Sequence, residues 1–123
     1  MIKEGLTYTS CLTVKESDTA IALGSGDMSV LATPRMMALM ENAAMLAVAG
    51  SLQEGETTVG GHIESSHLCP TPVGKTVEAT ARLTKVDGRK LTFEIEAYCD
   101  GTLLGKGSHL RFIVNREKFL GKL

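Results

Sequence analysis

The segment from Thr33 to Gly50 constrains the fold of this chain more than any other part of the sequence. Thr33 suits the N-cap of a helix, Pro34 suits the first helical position, and Gly50 suits a left-handed residue just after the C-terminus. Between them, the stretch MMALMENAAMLAVA has only Glu41 and Asn42 as polar residues and is rich in strong helix formers. The sequence therefore predicts one long helix with these limits.

This predicted helix is apolar around most of its circumference. Arg35, Asn42 and Ala49 follow one another at intervals of seven residues and form a narrow, more polar stripe. Apolar side chains spread over most of the remaining surface: Met36, Met37, Met40, Ala44, Met45 and Val48. A helix of this kind must be largely buried, so we expect other elements to wrap around it.

The length and composition limit what can surround the helix. With 123 residues, the chain fits one domain over positions 1–123 and is too short for a (β/α)₈ barrel. Aromatic residues make up only 4% of the sequence, so the core must be built from aliphatic side chains, Ala and Met. A chain of this size buries only about two-thirds of its accessible surface on folding, which makes further stabilisation by self-association expected.

Charge and hydropathy argue against several classes of partner. The net charge is −1 and basic residues do not cluster among aromatics, so nucleic acid is not expected as the main partner. The sequence contains neither an apolar run of about 18 residues nor a signal-peptide pattern, so we expect no membrane association and a cytoplasmic location. Cys11, Cys69 and Cys99 match no zinc or CxxC pattern and are interpreted as reduced thiols.

Alternation of apolar and polar residues predicts two adjacent strands after residue 75. Their apolar positions are Val77, Ala79, Ala81 and Leu83 in one strand and Leu91, Phe93, Ile95 and Ala97 in the next. Asp87-Gly88 predicts the tight turn between them, and Asp100-Gly101 predicts a second turn into a last strand.

Three further segments complete the predicted sheet. Residues 6–14 are rich in β-branched types and predict a first strand, and residues 57–69 predict another. Residues 15–32 predict at most a short strand near Asp27–Val30. The order is then strand, helix and four consecutive antiparallel strands, an α+β meander whose apolar face is filled by the helix.

Glu41 is the first candidate for chemistry. Its helical neighbours at three and four positions are Met37, Ala38, Ala44 and Met45, so its carboxylate projects from an apolar surface. Such a carboxylate must find a partner, take up a proton or line a cavity. A structural role, bonded to backbone or at a subunit seam, is equally compatible with the sequence.

The histidines are the second candidates. His62, Glu64, His67 and Cys69 suggest a metal site by their spacing, but in one strand the first two side chains face one side and the last two the other. They cannot then converge on one ion, and no metal is expected. Position alone does not choose among His62, His67 and His109 as catalytic groups.

Two further positions have both structural and functional interpretations. Adjacent glycines at Gly60 and Gly61 within a strand indicate a bulge or a close backbone approach, and packing is the favoured explanation. The functional alternative is that free amides there form an oxyanion hole. Thr33 is explained by helix capping, and nothing in its local sequence requires catalysis.

The chain resembles the hotdog fold, in which an antiparallel sheet wraps one long central helix, and more specifically the fluoroacetyl-CoA thioesterase-like group. Three segments carry this resemblance: LATPRMMALMENAAMLAV (31–48), VGGHIESSHLCPTPVGKTVEATARL (59–83) and VDGRKLTFEIEAYCDGTLLGKGSHLRF (86–112). The resemblance implies an acyl-CoA thioesterase that needs no cofactor and works as a homodimer or higher homo-oligomer with sites at the subunit interface.

The resemblance also implies the site residues. Thr33, Glu41 and His67 take the positions of the group's catalytic residues, and Gly60, with Gly61 beside it, lies where the strand backbone approaches the thioester carbonyl. Glu41 would attack the carbonyl or activate water, His67 would act as base and then protonate the thiolate, and Thr33 would orient a reacting group. Thr33 and Glu41 lie about 12 Å apart along an ideal helix, so substrate, water or a second subunit must connect them.

The sequence departs from this group before Thr33. Residues 15–32 contain no aromatic side chain, whereas the fluoroacetyl-specific enzyme carries an aromatic lid in a longer segment there. We therefore expect a general acyl-CoA thioesterase. The alternatives are a non-catalytic acyl-CoA or small-ligand binding protein and, less favoured, a hotdog hydratase.

Overall fold

A five-stranded antiparallel sheet packs against one long helix in the computed structural model, which describes residues 2–123. The elements are β1 (Thr7–Thr13), α1 (Ala20–Leu23), α2 (Thr33–Ala49), β2 (Glu56–Ser65), β3 (Thr76–Asp87), β4 (Lys90–Cys99), β5 (Thr102–Asn115) and α3 (Arg116–Leu120). Within the described residues, no helix has the length and apolar character needed to cross a bilayer.

The extent of α2 confirms the predicted helix, but both predicted caps are wrong. The N-cap is Ala32, which is extended (φ −70°, ψ 138°) and makes no side-chain cap bond, so Thr33 is already the first helical residue. Pro34 is tolerated one position later because the N–H groups of the first turn need no helical partner. Gly50 is right-handed (φ −73°, ψ −8°), since the chain continues in a turn in which Ser51 N–H donates to the Val48 carbonyl.

Only one face of α2 is covered. The buried residues of the helix face the sheet: Met36, Leu39, Met40, Ala43, Ala44 and Val48. On the other side, Ala38, Met45, Leu46 and Ala49 are exposed, with Met45 and Leu46 each 36% accessible. The sheet therefore curls around one side of the helix, as expected, and a single chain leaves an apolar strip open on the other side.

The predicted polar stripe of α2 makes two contacts with neighbouring segments. Arg35 pairs with the buried Asp18 at 2.9 Å, and Asn42 accepts a hydrogen bond of 2.7 Å from Ser10 on β1. These contacts tie the first strand and the segment after it to the helix.

The strand order is β1-β3-β4-β5-β2. Both predicted hairpins are confirmed, with Gly88 and Gly101 in left-handed turn positions (φ 61° and 78°). All apolar residues of the predicted alternation in β3 and β4 are buried. The meander of four consecutive strands is wrong, however, because β2 pairs with β5 and residues 66–75 then cross to the far side of the sheet.

The segment before α2 contains turns and no strand at Asp27–Val30. Residues Glu16–Asp18 form a 3₁₀ turn and α1 follows, capped by the Thr19 hydroxyl. Two isolated bridges hold this segment: Thr19 to Leu31 joins its two ends just before α2, and Val30 to Pro72 attaches it to the crossing loop, residues 66–75. It thereby reaches the start of α2 and the residues after β2.

Candidate active site

Thr33 and His67 form a direct side-chain pair. The Thr33 Oγ1 atom lies 2.6 Å from Nδ1 of His67. Thr33 has this hydroxyl available because it does not cap α2. His67 lies in the crossing loop and not in a strand, because β2 ends at Ser65 and the predicted strand 57–69 was too long; main-chain bonds from Ser66 and Leu68 to β5 hold the loop in place.

The surroundings of His67 favour a neutral imidazole. Burial lowers its pKa below the ordinary value of 6.5, and the main chain of Cys69 partly offsets the effect. The Nε2 atom is buried and makes no hydrogen bond to the described residues. A cleft of about 240 Å³ opens beside the pair, lined mainly by apolar residues that include Ala20, Val30 and Leu68. The pair can therefore accept or donate a proton next to a small apolar space.

Glu41 lies in a second centre, two turns further along α2. A Cβ atom placed on Gly60 would lie 3.1 Å from Oε2 of Glu41, 3.3 Å from Cε1 of His109 and 3.6 Å from Nη1 of Arg111. These three side chains thus surround the backbone of Gly60 closely. Within residues 2–123, no hydrogen bond joins Glu41 to Thr33 or to His67. One chain therefore brings the predicted catalytic residues together only in part.

Arg111 was missed by the sequence analysis. Its side chain is nearly buried, Nε donates to the Thr58 hydroxyl and Nη2 to the Thr58 carbonyl, both at 2.9 Å. Burial lowers the pKa of Arg111, while the Glu41 carboxylate opposes that shift. The signal available in the sequence was the spacing of His109 and Arg111, because residues two apart in a strand share a face.

The two glycines of β2 have different surroundings. Gly60 pairs with Arg111 and His62 with Leu110, so Gly61 is the extra residue of a β-bulge, as the paired glycines indicated. Gly60 faces Glu41, whereas a side chain on Gly61 would collide with the Phe112 ring. Glycine is needed at position 61 because the Phe112 ring packs there, and at position 60 because Glu41 lies close to the backbone.

The spaced set of His62, Glu64, His67 and Cys69 does not form one cluster. His67 and Cys69 lie beyond the end of β2. The expected alternation of side chains between the two faces of a strand therefore applies only to His62 and Glu64. Among the residues that the structure describes, no three His, Cys, Asp or Glu side chains are grouped to hold a metal ion.

The two centres offer complementary chemistry. The Thr33–His67 pair provides proton transfer. The other centre places a carboxylate, a glycine backbone and a guanidinium side by side, which suits attack on a carbonyl and stabilisation of the oxyanion that develops.

Comparison with known proteins gives consistent matches. Residues 14–117 match the family model described as fluoroacetyl-CoA-specific thioesterase. A fluoroacetyl-CoA thioesterase from Streptantibioticus cattleyicolor is 39% identical over 94 residues, which are 76% of this chain and 68% of that protein.

Solved structures agree with this match. A crystal structure of the fluoroacetyl-CoA thioesterase FlK superposes with a TM-score of 0.93 at 33% identity, covering 99% of this chain and 95% of that one. Another FlK structure, an FlK variant in complex with fluoroacetate and CoA, gives a TM-score of 0.87 at 33% identity over 96% and 99% of the two chains. A Thermus thermophilus protein described as a thioesterase superfamily member gives 0.91 at 28% identity over 99% and 90%. The α+β hotdog fold is confirmed, and the chain belongs to the fluoroacetyl-CoA-specific thioesterase family, a family of thioester hydrolases.

Proposed function

We propose that this chain is an acyl-CoA thioesterase that releases a free acid and CoA, with Glu41, His67 and Thr33 as its catalytic residues and the Gly60–Gly61 backbone in substrate binding. The observation that carries the proposal is the 2.6 Å contact between Thr33 and His67 at the edge of an apolar cleft. The activity for which the relatives are named, and the complex of one of them with fluoroacetate and CoA, support the choice of a CoA thioester.

In this reaction, an oxygen nucleophile adds to the thioester carbonyl, the C–S bond breaks, and the departing sulfur takes up a proton. Glu41 supplies the nucleophile, either by removing a proton from water or by attacking the carbonyl itself. If Glu41 activates water, the proton that it removes reaches the departing sulfur through the neutral His67. If Glu41 attacks directly, His67 takes a proton from the water that hydrolyses the acyl-Glu41 intermediate and passes it to the CoA thiolate. On both routes Thr33 fixes the orientation of the imidazole. The Gly60 backbone lies next to the carboxylate, and an amide N–H there would serve as an oxyanion donor.

The site is completed by a second copy of the chain. Thr33 and Glu41 are about 12 Å apart along α2, which is too far for both to act on one carbonyl without bridging groups. The exposed strip of α2, with Met45 and Leu46 each 36% accessible, supplies an apolar face for self-association. In the proposed homodimer, Glu41 of one copy works with the Thr33–His67 pair of the other.

The activity is tested by thiol release over a panel of acetyl-, fluoroacetyl-, medium-chain and aromatic acyl-CoA esters. We expect turnover of at least one ester and a fall of about 10²-fold or more in kcat for Glu41→Gln and for His67→Asn. Glu94→Gln, which alters an exposed carboxylate paired with Arg82, is the matched control and should retain full activity. If a CoA ester binds saturably but is not hydrolysed, the chain is a non-catalytic acyl-CoA binding protein and the proposal is wrong. If both variants keep full activity, Glu41 and His67 are not the catalytic residues.

A mixing experiment tests the composite site. Glu41→Gln and His67→Asn are each inactive as homodimers, but half of the randomly mixed dimers carry both changes in different chains. Each such heterodimer has one intact composite site, so about a quarter of the wild-type activity should return. If each site lies within one chain, mixing restores nothing.

Isotope labelling separates the two roles of Glu41. In a single turnover in ¹⁸O-water, direct attack followed by hydrolysis at the Glu41 acyl carbon leaves label in the Glu41 side chain, detectable by peptide mass spectrometry. Activation of water places the label only in the released acid, as does direct attack followed by hydrolysis at the substrate acyl carbon, so label in Glu41 is the result that identifies direct attack.

A further inference from the structure

The side chain of His109 connects two parts of the Glu41 centre. It is buried on β5, with 1% of its surface accessible, and its ring packs beside Phe93 with 6.2 Å between centroids. Nδ1 lies 2.7 Å from the carbonyl oxygen of His62, and Nε2 lies 3.2 Å from Nη1 of Arg111. Each ring nitrogen therefore has one hydrogen-bond partner, a carbonyl oxygen at Nδ1 and a guanidinium at Nε2.

These partners determine the state of the imidazole. A carbonyl oxygen only accepts and a guanidinium only donates, so Nδ1 must carry the hydrogen and Nε2 must offer its lone pair. Burial, the largest influence, lowers the pKa of His109, and the nearby Arg111 charge lowers it too, while the His62 carbonyl and Glu41 oppose these effects. The geometry and the charge environment agree on a neutral imidazole.

A neutral His109 in this geometry does not act as a proton acceptor. Protonation of Nε2 would place two donors face to face and break the contact with Arg111. The contacts instead allow His109 to hold neighbouring groups in place. On one side His109 holds the carbonyl of His62, the residue that ends the bulge begun by Gly60; on the other it holds the guanidinium.

Arg111 is fixed at three points by this arrangement. Thr58 accepts from Nε and from Nη2, and His109 accepts from Nη1. Three of the five donors of the guanidinium are then occupied, which holds its plane next to Gly60 and Glu41. Loss of the imidazole would leave the guanidinium held only by Thr58 and would remove the side-chain bond to the bulge.

We propose that His109 is a positioning residue for thioester hydrolysis: it locks the Gly60–His62 bulge to the Arg111 guanidinium and so holds the Gly60 backbone and the guanidinium beside Glu41. This inference rests on the proposed function. It assigns to His109 a role that acts through Arg111 and the bulge.

The kinetic test compares His109→Phe with His109→Asn. Phe keeps the ring packing and loses both hydrogen bonds, so kcat should fall about 10²-fold while KM changes by less than about threefold. Asn restores an N–H near the position of Nδ1 and should recover about tenfold of that loss. Ser108→Ala, at a half-buried β5 side chain bonded to Glu64, is the control. A folded His109→Phe with kcat within about twofold of wild type, or equal losses in Phe and Asn, would overturn the proposal.

Two NMR measurements remain decisive even if His109→Phe does not fold. The long-range ¹⁵N–¹H spectrum of the wild type should show His109 as the neutral Nδ1–H tautomer at pH 7. In His109→Asn the amide shifts of Gly60 and Gly61 should stay near the wild-type values, whereas in His109→Ala, which loses the bond to the His62 carbonyl, they should move towards those of an unpaired loop. An Nε2–H tautomer, or wild-type amide shifts in His109→Ala, would overturn the proposal. If the wild type releases no thiol, the proposed function fails, and these two measurements still decide whether His109 holds the bulge.

Discussion

Gly60→Ala isolates the geometry of the Glu41 centre with a single methyl group. The new Cβ would lie 3.1 Å from Oε2 of Glu41 and 3.3 Å from Cε1 of His109, short of the ordinary contact range that begins at 3.4 Å. The carboxylate or the bulge must therefore shift by a few tenths of an ångström. Because His109 is buried and held on both sides, the shift falls mainly on Glu41, which is only half-buried.

The size of both effects follows from this displacement. Overpacking in a core costs about 1–3 kcal/mol, and the lower end applies here because Glu41 can move, so we expect a loss of about 1 kcal/mol and a fall of roughly 4 °C in Tm. A 1 Å misplacement of a catalytic group costs about 10²-fold, so a shift of a few tenths of an ångström should lower kcat/KM by about tenfold.

Gly50→Ala is the matched control for this substitution. A Cβ at Gly50 meets nothing within 4 Å, and its φ of −73° suits alanine. Removing the glycine should stabilise the protein by about 0.5 kcal/mol and leave thiol release unchanged. The reasoning fails if Gly60→Ala keeps kcat/KM within about twofold of wild type, or if Gly50→Ala loses activity to the same degree.

Three further outcomes are expected. Because burial holds the pKa of His67 below 6.5, the acid limb of the pH profile of kcat/KM should lie below pH 6.5; a limb above pH 7 would contradict a neutral His67. Asp18→Asn should reduce the free energy of unfolding by about 2 kcal/mol at pH 7 in urea titrations. Burial raises the pKa of Asp18, but the bonds from Lys15 and Arg35 outweigh it and lower the pKa below 3.8, so this stabilisation is present above the unfolded-state pKa and is lost as pH falls through the folded one; an equal difference between the proteins at all pH values would contradict this. Phe93→Ala should cost about 3–5 kcal/mol by opening a cavity in a fully buried position, and a loss under 1 kcal/mol would mean that the sheet collapses around the gap.

Local patterns in the sequence predicted most of the secondary structure. The limits of α2 and the alternation in β3 and β4 depend on residues close together in the chain, and all were predicted within a few positions. The position of β2 beside β5 was not predicted, because the alternation of residues within a strand does not show which distant strand it pairs with.

In the candidate site, too, features set by local sequence were predicted and contacts between distant residues were not. Thr33 was assigned to helix capping because its residue type suits a cap, yet Ala32 takes that place and the threonine hydroxyl meets His67. The choice of His67 came from resemblance, and its contact depends on a loop whose path periodicity does not describe. Arg111 lies beside Glu41 only because β5 runs next to β2, so its role could not be inferred from its neighbours in the chain.

The strand order also has a consequence for the folding pathway. β3, β4 and β5 are joined by two-residue turns, so their pairing closes short loops and can form early. β2 meets β5 through partners such as Gly60 and Arg111, about fifty residues apart in the chain, and this pairing must close a long loop. Refolding should therefore restore the β3-β4-β5 hairpins first and thiol release last, since the Gly60 side of the site exists only after β2 has docked.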